Sequence, residues 1–186
     1  MMTNSTESLS VRAFSATGPN DALVAGRRYN AHMYTAFLVI HSFVRWVVLL
    51  AGLAAVGRAI GGMRARRSWT PSDERAGLWL IVSLDVQFLV GAILYVALSP
   101  FTMPAWSDMA ETMRNPALRF VVVEHVFGMV VAIALAHIGR VRIRKTADGV
   151  RRHKLAAIFF GIALVVIVLS IPWPGMPAGR PLLRGF

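Results

Sequence analysis

Four long apolar runs, at residues 33–56, 77–98, 117–138 and 155–171, are separated by polar stretches. Each run is close to the ~20 residues that carry an α-helix across a ~30 Å hydrocarbon core. A polar stretch between each pair keeps every run single, and no internal repeat is visible. The pattern predicts an all-α protein, an integral membrane up-down-up-down four-helix bundle. Pro100 is expected to end the second helix. Pro116 is expected to open the third, where a missing N–H does no harm. Ile171-Pro172-Trp173-Pro174 closes the fourth. Tyr34, Tyr95 and Trp173 suit the interfacial aromatic belt. The 99–116 loop carries Phe101, Met103, Pro104, Ala105 and Trp106, apolar enough to lie on the membrane and cap the outer mouth.

Residues 1–32 are polar, with few large apolar side chains. They lack the basic start, apolar centre and small-residue cleavage site of a signal peptide. Two expectations fit them: a disordered extension, or a translation start at Met33 that leaves 1–32 out of the protein. Residues 33–174 form the transmembrane domain, and 175–186 a C-terminal tail.

Composition agrees with a membrane domain. Of 186 residues 56% are hydrophobic, against about 45–50% in soluble domains, and the mean hydropathy is +0.58. There is no cysteine, which excludes disulfides, thiolate metal sites and covalent haem attachment. The net charge of +11 raises nucleic acid as a partner, but its distribution argues against that. Arg58, Arg64, Arg66, Arg67 and Arg75 lie around the first loop. Arg140, Arg142, Arg144, Lys145, Arg151, Arg152 and Lys154 lie around the third. The middle loop has only Arg114, beside Asp108 and Glu111. Basic loops stay on the cytoplasmic side, so both termini and the 99–116 loop are expected outside, in a bacterial inner membrane. Arg27 and Arg28 oppose this weakly.

Ionisable groups within the runs are the candidate chemistry. Each costs about 2.5–3.5 kcal/mol at the centre of a helix on insertion scales, and such groups usually face a partner inside a bundle. His41 and His125 each lie about eight residues into helices that run the same way, ~12 Å deep. Two imidazoles at one depth on diagonal helices suit the axial positions of a b-type haem. Gly128, three residues after His125, is expected to relieve crowding, with Ala132 and Ala136 continuing that side. Gly91 and Gly161 are expected to add clearance. Arg119, near the outer edge, is placed for a haem propionate. Arg45, one turn below His41, is expected to form a buried ion pair with Glu124 or Asp85. A structural role for the histidines is the plainer expectation for any single one. His137 and His153 suggest a second, inner haem less strongly, since helix-end histidines commonly face headgroups.

A resemblance adds to this. Met33-Tyr34-Thr35, His41-Ser42 with Arg45-Trp46, Gln87-Phe88-Leu89-Val90-Gly91 with Tyr95, Leu118-Arg119-Phe120 with Glu124-His125, and Ile171-Pro172-Trp173-Pro174 match in order and spacing. Over 33–174 the chain resembles small four-helix bacterial membrane proteins labelled cytochrome b or cytochrome b-like. The resemblance implies haem b and one-electron transfer, with a quinone or a redox protein as partner. Members of that family often carry a histidine in the second helix near the position of Asp85, and tend to begin near Met33. Two other functions fit the residues: a non-catalytic subunit or assembly factor of a larger membrane complex, and a proton or ion pathway built on Asp85, Arg45 and Glu124.

Overall fold

The structure, a computed structural model, describes residues 19–181. The disorder expected for 1–18, and residues 182–186 of the C-terminal tail, fall outside that range. The chain divides into two compact units, with the boundary after Ala36. In the first unit the backbone is helical from Pro19, where a helix start at Met33 and a disordered lead-in were expected. Residues 22–28, Ala-Leu-Val-Ala-Gly-Arg-Arg, are mostly good helix formers, and that propensity outweighs their polarity. Thr35 Oγ1 donates to Ala31 O at 2.9 Å.

The described residues contain helices and no strand. The long helices are α1 (Pro19–Arg64), α2 (Pro71–Ile93), α6 (His125–Arg144) and α7 (Gly149–Leu169). Two short ones, α3 (Thr102–Ser107) and α4 (Met109–Arg114), fill the second loop, and a third, α5 (Pro116–Arg119), opens the stretch that follows it. Two π-helical turns, Leu94–Leu98 and Phe120–Glu124, follow α2 and precede α6. Four stretches are long and apolar enough to cross a membrane: Ala31–Arg64, Pro71–Leu98, Pro116–Arg144 and Gly149–Leu169. Their outer faces carry exposed Phe43, Leu50, Trp79, Leu89, Phe127 and Leu169, as the surface of a multi-pass membrane protein requires.

The core within 37–181 is built from small residues and a few large ones. Gly128, Ala132 and Ala136 recur at four-residue spacing along the buried side of α6. The opposing side of α7 buries Ala156, Phe160, Ala163 and Ile167. Small residues let helix backbones approach closely in lipid, where no hydrophobic effect draws helices together. The expected porphyrin wall on α6 is therefore an interface between helices. Leu80 and Leu84 of α2 and Val48 of α1 fill the remaining centre.

Asp73 organises the turn between α1 and α2. Its side chain is 1% exposed. It accepts from Arg58 Nε (3.0 Å), Arg67 Nη1 (2.5 Å), Arg67 Nη2 (2.7 Å), Thr70 N (2.9 Å) and Thr70 Oγ1 (2.7 Å). It is also the third residue of α2 after the Thr70 cap, half of a capping box. Arg67, between the spans, has its pKa raised above the ordinary value by the hydrogen bonds to Asp73. We expect Asp73→Ala to cost roughly 2–3 kcal/mol. That is below the ~3–5 kcal/mol of a fully buried pair, because the arginine heads can turn to water. Unfolding in detergent checks this. Glu111→Ala, which breaks an exposed pair at 3.9 Å, should stay within about 0.5 kcal/mol of wild type.

Candidate functional site

His41 of α1 and His125 of α6, both partly buried, meet between these helices. Their ring centres are 6.2 Å apart and their planes cross at 75°. Three features hold them there. His125 Nδ1 lies 2.7 Å from the carbonyl of Ser170, just past the end of α7. A nitrogen so placed donates, which leaves Nε2 of that ring as the one with a free lone pair. Gln87 Nε2 of α2 donates to the backbone carbonyl of His41 at 3.0 Å. Gly91 backs the His41 ring, since a Cβ there would stand 3.1 Å from its Cε1. His41 Nδ1 is buried with no hydrogen-bond partner.

The backbone beside the pair is unusual. Both π turns adjoin it, and they are joined. Tyr95 OH, from the first, donates to Val122 O, in the second, at 2.9 Å. Thr102 Oγ1 then donates to Tyr95 O at 2.6 Å. Wide turns of this kind loosen the regular ladder and let a side-chain donor reach a carbonyl, and they concentrate at functional sites. Thr112 Oγ1, bonded to Ala105 O at 2.8 Å, locks α3 to α4 in the second loop.

The other expected site residues lie elsewhere. Gly128 does not border open space: a Cβ on it would strike Ser170 Oγ and lie 3.0 Å from Ser170 Cβ. Its absent side chain admits α7. Gly161 has nothing near it. Arg45 is buried at 8% exposure, with its guanidinium carbon 5.7 Å from the centre of the Trp46 ring. The carboxylates expected to face it are bonded to other side chains. Glu124 pairs with Arg119 at 2.7 Å and Asp85 with His137 at 2.9 Å. The reason is direction around the helix, because the Glu124 and Asp85 side chains are 47% and 45% exposed. Arg119, expected to await a propionate, is already paired, and its Nη1 also donates to Met113 O at 3.2 Å.

His153 was expected at the headgroups but is fully buried in α7. Its ring packs on Trp69 at 4.9 Å, in a space left by Gly62. His137 is half exposed beside Asp85, so the two histidines of the expected second haem have different surroundings. Among the described residues there is no group of three or more His, Cys, Asp or Glu side chains that could hold a metal ion. An apolar groove of about 550 Å³ lies between α1 and α2, lined by Val47, Leu50, Ala54, Ala76 and Trp79, away from the histidine pair. No family model, curated protein or solved structure matches the chain.

The dependence of His125 on a close α6–α7 contact is testable. We expect Gly128→Ala to push Ser170 away and cost about 1–3 kcal/mol by overpacking. Adding Ser170→Ala should recover part of this loss, because it removes Oγ and keeps the carbonyl. Thermal unfolding in detergent of the single and double variants reads both.

Proposed function

We propose that this protein is a membrane electron carrier of the b-type cytochrome kind, holding one haem b between His41 and His125. The observation that carries the reading is the meeting of these two imidazoles from separate helices. His41 and His125 would be the residues to hold the group, and their ring centres stand 6.2 Å apart with planes crossing at 75°. Ser170 supplies a backbone acceptor for the other nitrogen of His125, as ligating histidines usually have. His41 keeps a buried nitrogen without a partner. The donor chemistry therefore fits the group. When bound, haem would supply a one-electron couple. The chain's own residues do the rest: Ser170 aims the His125 ring, Gln87 holds the His41 backbone, and Gly91 leaves room beside the His41 ring.

The same reading places the helices up-down-up-down, with both termini and the 99–116 loop on the outer side of a bacterial cytoplasmic membrane. Contacts between neighbouring helices run in opposite order along each pair. His41 adjoins Gly91 while Arg58 adjoins Asp73. Glu74 pairs with Arg140, and Tyr95 bonds Val122. Gly128 adjoins Ser170 while Gly139 adjoins Phe159. The proton-pathway alternative has less support, since Asp85 and Glu124 are held by separate partners, His137 and Arg119.

Protein made with ample haem is expected to be red, with sharp reduced-minus-oxidised b-type bands. His41→Ala and His125→Ala should each abolish or broaden them, and His137→Ala and His153→Ala should not. A colourless, well-folded protein that takes up no haem on titration would reject the reading and favour the non-catalytic subunit. Topology is read separately. A tag after Phe186 and a cysteine probe in the 99–116 loop should both react from outside intact cells. Labelling of the loop only after permeabilisation would invert the arrangement.

A further inference from the structure

The groove between α1 and α2 is apolar along most of its length and cationic at one end. Its volume is about 550 Å³, within the ~300–1,000 Å³ range of ligand pockets. It follows α1 from Val47 to Ala54 and α2 from Ser72 to Trp79, a rise of ~10 Å on each helix. Arg58 bonds Asp73 while His41 adjoins Gly91, so the Ala54 end of α1 lies at the Ser72 end of α2. Ala51, Ala54 and Ala76 line the groove where larger side chains would close it. Leu50 and Trp79, each 66% exposed, extend its apolar lining outward.

Ser72 and Arg75 are its polar lining. They are the second and fifth residues of the span Pro71–Leu98, beside the turn that carries Arg64 and Arg66. Arg75 Nη2 donates to Ser72 Oγ at 3.4 Å. The two carboxylates between them in sequence are committed elsewhere, Asp73 to Arg58 and Arg67, and Glu74 to Arg140. No ion pair among the described residues engages Arg75. An arginine at the end of a span lays its stem on apolar surface and keeps its head at the level of the lipid headgroups. A guanidinium there binds phosphate through two parallel hydrogen bonds. The ligand that suits the groove has one anionic phosphate and a long apolar chain. An apolar helix of a second copy would cover the groove but leave Arg75 without an anion.

We infer that the α1–α2 groove holds one acyl chain of an anionic phospholipid, with the lipid phosphate on Arg75 and Ser72. Basic pockets between transmembrane helices take anionic headgroups in this way. The apolar slot supplies the place for the chain, and the cation at its end sets which lipid is kept. The site is separate from the histidine pair and depends on neither haem nor the orientation of the bundle in the membrane.

The test is native mass spectrometry of the full chain released from detergent, after titration with phosphatidylglycerol or phosphatidylcholine of matched chains. One phosphatidylglycerol per chain should be retained roughly fivefold better than phosphatidylcholine, the effect of one arginine near anionic lipid. Arg75→Ala should remove that preference and Arg75→Lys should keep part of it. Arg144→Ala, which removes an exposed arginine outside the groove, should leave it intact. Ala54→Phe fills the groove and should weaken retention of both lipids. Arg75 is exposed, so circular dichroism and the thermal midpoint should stay near wild type in its variants. Equal retention of the two lipids by wild type, or equal loss in Arg75→Ala and Arg144→Ala, overturns the proposal in favour of general attraction to a basic surface. Unchanged retention by folded Ala54→Phe overturns the seat in the groove. Efficient disulfide cross-linking of Leu50→Cys chains in the membrane, in a protein with no cysteine of its own, also overturns it and gives the groove to a second copy.

Discussion

The close approach of α6 to α7 at Gly128 is the contact on which the site depends. Lipid gives apolar helices no reason to leave it for each other, so packing must hold them. Along α6 the small residues Gly128, Ala132 and Ala136 bring the backbones together. Their consequence appears where α7 ends. Ser170 seats against Gly128, and its carbonyl comes within 2.7 Å of His125 Nδ1. The ring is thereby turned towards His41. A packing interface and the orientation of a candidate ligand are one arrangement.

The surface shows where polar groups go when that core is closed. Arg119–Glu124 and Asp85–His137 are paired on the outside of the helices, among apolar neighbours. The Asp73 network does the opposite, drawing two arginines onto a buried carboxylate at the α1–α2 turn. Charge in this protein is handled by close pairing, much of it between neighbouring helices.

Length made the four spans legible in the sequence, because a bilayer demands apolar runs of one size. Counting depth from helix starts was enough to bring His41 and His125 to one level, since rise per residue hardly varies. Direction around the axis was not legible. Asp85 and Glu124 were expected inward and face outward, and Gly128 faces a helix where a cofactor was expected. Azimuth depends on neighbours and on local winding, and nothing in an apolar run announces either. His153 was misplaced by composition, since a basic loop hides how well one imidazole fits the space at Gly62. Asp73 went unnoticed although Thr70-Pro71-Ser72-Asp73 is a helix-start signal. The carboxylate there does more than cap, and only the fold brings Arg58 and Arg67 to it.

The π turn at Phe120–Glu124 has a consequence best put as a matter of phase. Such a turn holds one residue more than an α-turn, so everything after it is rotated by about 100° relative to an unbroken helix. Relative to the segment Pro116–Arg119, His125 and the small residues beyond it owe their heading to that surplus residue. Loss of a single residue from 120–124 would leave composition, hydropathy and span length nearly untouched. It would swing His125 a quarter-turn from His41 and take Gly128 off α7. In this chain an insertion or deletion too small to disturb membrane crossing is large enough to erase the site.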